Sequence, residues 1–247
     1  MGLFGIFGSK RLSAPINLGT VGTDMHSHLI PGIDDGARSL EDSVTLIKEM
    51  QGLGYKKLIT TPHIQQEFYK NTPEIINSGL TDLKEALRAE NIQVEIQAAA
   101  EYLLDDGFNE KFEKGDLLTF GKKYVLIELS YYNPHPDLKG IVFRLQVDGY
   151  QVILAHPERY SYWFNDWNKF TELKDRGVLF QLNLVSLAGF YPDPVQKMAE
   201  KFIDEGLIDL VGSDMHNMRY MDALKASRLE KSLEKLLASG KLVNAML

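Results

Sequence analysis

Cysteine is absent from the 247 residues. That excludes disulfides, thiolate metal ligands and any cysteine nucleophile, and it fits a reducing cytoplasm. Long apolar runs are missing as well, and no stretch approaches the roughly 20 residues needed to cross a bilayer. Positive charge is in deficit: 27 Lys and Arg against 34 Asp and Glu leave a net charge of −7. That is the wrong sign for a chain whose main partner is nucleic acid. Histidine is scarce, with six in all, so the positions of these few carry weight.

What is present reads as one globular domain. The length is enough to bury a substantial core, and no Pro-, Gly- or Ser-rich linker or internal repeat divides the chain. We expect a tail over 1–14 and a single domain over 15–247. The opening MGLFGIFGSKRL carries its charges after its apolar residues, unlike a secretory signal. Ile6 breaks the myristoylation pattern. Leu3, Phe4, Ile6 and Phe7 ahead of Lys10 and Arg11 suit contact with a membrane or a partner. An unstructured tail is the plainer expectation.

Apolar runs rich in β-branched residues predict strands near 21–26, 56–61, 93–100, 123–129, 151–155, 178–184 and 208–213. Helical spacing lies between them. One helix runs from Leu40 to Met50 behind the N-cap candidate Ser39, and another from Thr72 or Pro73 to about Asn91. Others carry Leu138 to Leu145 or cover about 166–176, 194–205 and 220–238. Strands alternating with helices pair in parallel, and seven such units suit a barrel better than an open sheet.

The titratable residues fall at the ends of these strands. His26 and His28 end the first, His63 follows the second, and Glu101 follows the third. Glu128 ends the fourth, His156 the fifth, and Asp214 and His216 the seventh. In an α/β barrel these ends converge on one mouth, where active sites lie. Residues i and i+2 of a strand share a face, so His26 with His28, and Asp214 with His216, are each expected to reach one ion. The small residues Ala98 to Ala100 leave room beside Glu101. Imidazole and carboxylate without thiolate suit manganese, iron or zinc. Nine candidates, counting Asp35, exceed the needs of one ion and suit two or three. Each motif alone has a plain structural reading; five of six histidines at strand ends is what favours a metal. His135, in a Pro-rich loop, is expected at the surface.

HSH followed by DDG, then TPH, AAE, IELS, AHPERY and SDMHN, resembles the motif set of the PHP (polymerase and histidinol phosphatase) superfamily. Within it the set is similar to the capsule-type bacterial protein-tyrosine phosphatases, in order from Thr23 to Asn217. DDG after HSH favours that branch over the histidinol phosphatases. The resemblance implies a distorted seven-stranded (β/α) TIM-like barrel with a trinuclear, manganese-type centre. Its implied ligands are His26, His28, Asp35, His63, Glu101, Glu128, His156, Asp214 and His216. It implies Arg159 as a phosphate-binding catalytic arginine, with Arg219 the nearest match to a second. The implied reaction is hydrolysis of protein phosphotyrosine by hydroxide formed at a metal. The implied partner is a tyrosine-phosphorylated kinase of capsular or exopolysaccharide export, met in the cytoplasm or at the inner membrane.

Chemistry supports these roles. The planar fork of arginine grips two phosphate oxygens and stays charged, although a surface ion pair of Arg159 with Glu158 or Asp166 is the plainer alternative. Tyr131, Tyr132, Tyr160, Tyr162, Trp163 and Phe164 are candidates to sandwich a phenyl ring, with Tyr160 beside Arg159 as a substrate contact. With no cysteine, tyrosine phosphatase activity must take the metal route. Three other readings stand beside it: a small-molecule phosphatase such as one for histidinol phosphate, a nucleic-acid phosphoesterase disfavoured by charge, and a non-enzymatic phosphoprotein-binding barrel.

Overall fold

The computed structural model describes residues 11–247. Among the described residues the strands are β1 (Thr23–Asp24), β2 (Lys57–Thr60), β3 (His63–Ile64), β4 (Glu95–Ala98), β5 (Glu101–Leu103), β6 (Tyr124–Glu128), β7 (Gln151–Ala155), β8 (Leu179–Asn183) and β9 (Leu210–Gly212). The helices are α1 (Leu40–Gly52), α2 (Pro73–Ala89), α3 (Phe108–Glu113), α4 (Leu138–Val147), α5 (Asn168–Asp175), α6 (Asp193–Asp204), α7 (Met218–Ser227) and α8 (Lys231–Ala238). Local chemistry starts the first two helices as expected: Ser39 and Thr72 accept hydrogen bonds from Asp42 N and Ile75 N, and Pro73 follows at the first helical position.

Every strand pair is parallel, in the orders β1-β2-β4 and β3-β5-β6-β7-β8-β9. The second and third expected strands, near 56–61 and 93–100, form β2 and β4, and each is continued past its expected end by a second half, β3 and β5. Pro62 has no N–H for a ladder and restricts Thr61, so β2 stops at Thr60 and β3 begins at His63. The neighbouring strand breaks in register: Thr60 pairs with Ala98, and His63 with Glu101. Counting the halves together leaves seven barrel positions.

The barrel closes between its first and last strands. Asp214 N donates to His26 O and His28 N to Met215 O, both at 2.8 Å. Asp24 accepts from Ser213 N at 2.7 Å and Ser213 Oγ at 3.0 Å. Beyond β1 the ladder continues through a side chain, as Thr60 Oγ1 donates to Ser27 O and accepts from Leu29 N, each at 2.9 Å. The fold is a distorted, seven-position TIM-like barrel.

Strand residues alternate between two cores. Met25, Ile59, Ala99, Leu126, Ile153, Ala155 and Leu210 fill the barrel interior, while Val125, Ile127, Val152, Leu154 and Val211 pack outward under the helices. Of the small run expected to make room beside Glu101, Ala99 alone belongs to the interior cluster. The expected helix over 220–238 breaks at 228–230, where Glu230 pairs with Arg11 at 3.0 Å and Leu229 O accepts from Leu12 N. Arg11 and Leu12 are therefore docked, which shortens the expected tail. The rest of it, over 1–10, lies outside the described residues.

Candidate metal centre

The two histidines after β1 are aimed by their outer nitrogens. His26 Nδ1 donates to Gln181 Oε1 at 2.7 Å, and His28 Nδ1 to Asp34 Oδ2 at 2.8 Å. Both Nε2 atoms then face inward, 3.4 Å apart. Gln181 is itself set by Asn183 Oδ1, and Asn183 Nδ2 donates to Asp214 Oδ2 at 2.7 Å. Asp34 also accepts from Gly36 N and His63 N, each at 3.0 Å. Glycine is required in two places: a Cβ on Gly36 would lie 2.2 Å from His28 O, and one on Gly212 2.6 Å from His26 Cβ. The DDG turn can therefore close on His28.

Glu101 stands at the centre. Its Oε2 lies 3.2 Å from His26 Nε2, 3.5 Å from His28 Nε2 and 3.0 Å from His63 Nδ1. Its Oε1 is 3.0 Å from His156 Nε2. Asp214 Oδ1 is 3.4 Å from both His26 and His28 Nε2. Asp35 Oδ1 sits 3.5 Å from His63 Nε2 and 3.4 Å from His216 Nε2. Four overlapping groups offer ligand atoms to an ion: His28, Asp35, His63 and His216; His26, His28 and Asp214; His26, Glu101 and His156; and His63, Glu101 and Glu128. All nine residues expected from the sequence are brought together, and all but Asp35 are buried.

The donor set fits divalent cations. His63 Nδ1, Glu101 Oε2 and His156 Nδ1 are buried without a hydrogen-bond partner, and each such group costs about 1–3 kcal/mol. At Glu101 Oε2 three ring nitrogens converge without hydrogen-bond geometry, which a cation between them would resolve. His156 and Asp214 also hold left-handed backbones, at φ 33° and 52°, a strain typical of functional sites. That conformation changes one expectation. Asp214 is not extended, so Asp214 and His216 fall in different groups, and His216 Nδ1 donates to Asp214 O at 2.7 Å.

The cluster polarises its own members. Burial opposes charge on His26, but Glu101 and Asp214 outweigh it and raise the ring to about 9. His63 likewise rises against burial to about 10, driven chiefly by Glu101. Burial, with Arg159, pushes His156 down to about 4. Burial also raises Glu128 to about 7, with Glu101 adding to it. Glu101 and Asp214 stay well below the usual carboxylate range despite burial, held there first by His26.

Arg159 joins this cavity of about 410 Å³. Its Nη1 is 3.4 Å from Asp214 Oδ2. Glu158 turns away to accept from Asn183 N and Ser186 Oγ, so the expected alternative of an ion pair with it is not formed. Two sequence-based expectations need correction. Tyr160 is not in the cavity: it is fully buried, and its hydroxyl donates to Ala155 O and accepts from Leu129 N. Arg219 is exposed at the start of α7, in an adjoining cavity that shares Asp35 and His216 but not Arg159. Asp24 accepts from Ser213, and Gln181 orients His26.

Of the aromatic candidates Tyr131 and Tyr132 line the cavity, whereas Tyr162, Trp163 and Phe164 pack on the core. His135 lies apart, in the groove beside Trp163. Phe68, Tyr69 and Tyr220 also line the cavity, and Tyr191 stacks on Arg159; sequence reasoning missed these four. It also missed Gln181 and Asn183, whose signal was two polar residues at i and i+2 in the apolar strand VLFQLNLV.

Residues 22–238 match the model of a family described as capsular polysaccharide synthesis, CpsB/CapC. The chain is 28 % identical to the tyrosine-protein phosphatase YwqE of Bacillus subtilis over 197 residues, covering 79 % of this chain and 78 % of that protein. It is 29 % identical to the tyrosine-protein phosphatase CpsB of Streptococcus pneumoniae over 203 residues, covering 79 % and 83 %. Crystal structures of these two, described as unique metal-dependent tyrosine phosphatases, include a chain that superposes with a TM-score of 0.80 at 27 % identity, covering 87 % of this chain and 90 % of the other. A histidinol phosphate phosphatase from Lactococcus lactis shares the fold, at a TM-score of 0.55 and 13 % identity over 90 % and 93 % of the two chains.

Proposed function

The chain belongs to the CpsB/CapC family of capsular polysaccharide synthesis, and on that premise we propose that it is a metal-dependent protein-tyrosine phosphatase. The observation that carries this reading is the meeting of the carboxylate–imidazole cluster with Arg159 in one cavity. The lack of cysteine supports it, because a thiolate route is closed.

We assign His26, His28, Asp35, His63, Glu101, Glu128, His156, Asp214 and His216 as ligands of two or three divalent ions, manganese first, with iron and zinc as the other candidates. The sharing of His26, His28, His63 and Glu101 between groups supports more than one ion. Bound there, such ions lower the pKa of water to about 7 and neutralise phosphoryl oxygens. The chain's own residues position the reaction. Gln181 and Asp34 fix the histidine rings, and Arg159 presents its N–H groups to the phosphoryl group. Phe68, Tyr69 and Tyr132 offer ring surface to an aryl group. A tyrosine phenolate, with a pKa of about 10, leaves with less proton assistance than an alkoxide.

The domain that does this is the one expected over 15–247, with Arg11 and Leu12 docked against it. Its partner is a phosphotyrosine protein, and we take that to be a tyrosine kinase of polysaccharide export, met in the cytoplasm or at the inner membrane. No described helix is long and apolar enough to cross a membrane, which is compatible with that placement.

The test is a substrate panel with manganese-loaded protein. Phosphotyrosyl peptide is hydrolysed, and EDTA abolishes turnover. Much faster turnover of histidinol phosphate under identical conditions would overturn the tyrosine assignment.

A further inference from the structure

Two tyrosine rings pack against the Arg159 guanidinium, which lies over the face of each. Tyr131 lies 4.4 Å and Tyr191 4.5 Å from the guanidinium carbon, measured to the ring centroids. The rings arrive from separate segments, Tyr131 following β6 and Tyr191 lying between β8 and α6. Each hydroxyl also reaches a carboxylate of the cluster. Tyr131 donates to Glu128 Oε1 at 2.6 Å, and Tyr191 to Asp214 Oδ2 at 3.4 Å. Arg159 itself also pairs with Asp214 Oδ2, at 3.4 Å.

Stacking leaves the edge N–H groups of a guanidinium free while its plane is fixed. An arginine already immobilised gives up less rotamer freedom when it grips an anion. Resting on the phosphatase reading above, we propose that Tyr131 and Tyr191 are positioning residues that clamp Arg159 between their rings and hold its edge toward the phosphoryl group. The ring faces carry this role, so phenylalanine serves and leucine does not.

The experiment measures binding of inorganic phosphate to the metal-loaded protein by calorimetry, with bound metal counted by ICP-MS and KM and kcat taken on a phosphotyrosyl peptide. Tyr131→Phe and Tyr191→Phe bind phosphate within about twofold of wild type, whereas Tyr131→Leu and Tyr191→Leu each weaken it about five- to thirty-fold. In the leucine variants KM for the peptide rises with the phosphate constant, and metal content is unchanged. The inference falls if the leucine variants bind phosphate as wild type does, if the phenylalanine variants lose as much, or if the leucine variants lose their metal. Tyr131 is 39 % exposed, and should either leucine variant fail to fold, the other tests the same claim. A wild-type protein that shows this phosphate pattern yet leaves the peptide intact overturns the phosphatase reading and leaves the clamp standing.

Discussion

Asn244 at one end of the barrel and the carboxylate–imidazole cluster at the other are both buried, and their polar atoms are treated in opposite ways. At the end where the strands begin, Asn244 sits between β1 and β9. It donates to Thr23 O at 2.9 Å and Val211 O at 2.8 Å, and accepts from Val211 N at 3.0 Å. Every polar atom of that side chain has a partner, and the residue plugs the barrel. At the other end His63 Nδ1, Glu101 Oε2 and His156 Nδ1 have none, and two neighbouring backbones are strained. Burial with satisfied partners is what a structural residue shows. Burial without them, in a cluster of like chemistry, marks a place where a ligand completes the structure.

The largest test of that contrast is a substitution at the mouth. Asp214→Ala removes a proposed ligand that groups with His26 and His28. Metal ions contribute several kcal/mol to such reactions, so turnover of phosphotyrosyl peptide should fall about a thousandfold or more. Near-normal turnover would remove Asp214 from the centre.

A smaller effect follows from pH. His26 and His63 are raised from the usual imidazole value to about 9 and about 10 in the metal-free site, so both hold protons at pH 7. Ions must displace those protons, and apparent metal affinity therefore rises with pH from 7 toward 9. The sign for the metal-free fold is the reverse. Raised folded pKa values stabilise it at and below pH 6.5, and that contribution is lost as pH climbs through 9 and 10. Chelator competition titrations across this range check the first trend, and thermal melts of metal-free protein the second. Metal affinity independent of pH would contradict the assignment of these rings.

The smallest effect on turnover belongs to the opposite end. Asn244→Ala should cost about 1–3 kcal/mol of stability by orphaning backbone groups, seen as a melting point lower by about 2–10 °C. Metal content and kcat should not change. A loss of metal there would dissolve the contrast between the two ends.

Much of this was legible in the sequence because ligands at strand ends need only the strand pattern to place them. HSH, TPH, AAE and SDMH each gave residues that the fold brings within reach of one another. The breaks at Pro62 and Ala99–Ala100 were not legible, because an apolar run reads as one strand until its partner's register is known. Nor were contacts spanning great distances, such as that of Gln181 with His26, 155 residues apart. Tyr160 misled for a local reason. It neighbours Arg159 in sequence, but the tight turn over Pro157–Arg159 rotates successive side chains by about 120°. One therefore enters the cavity and the next enters the core.

The central claim is that the unpartnered cluster around Glu101 exists to hold divalent ions. Its most direct test is metal counted by ICP-MS on purified protein after manganese loading and desalting, for wild type and Glu101→Gln. The account predicts more than one ion per wild-type chain and a clear loss in the variant. A wild-type chain that retains no metal would contradict it.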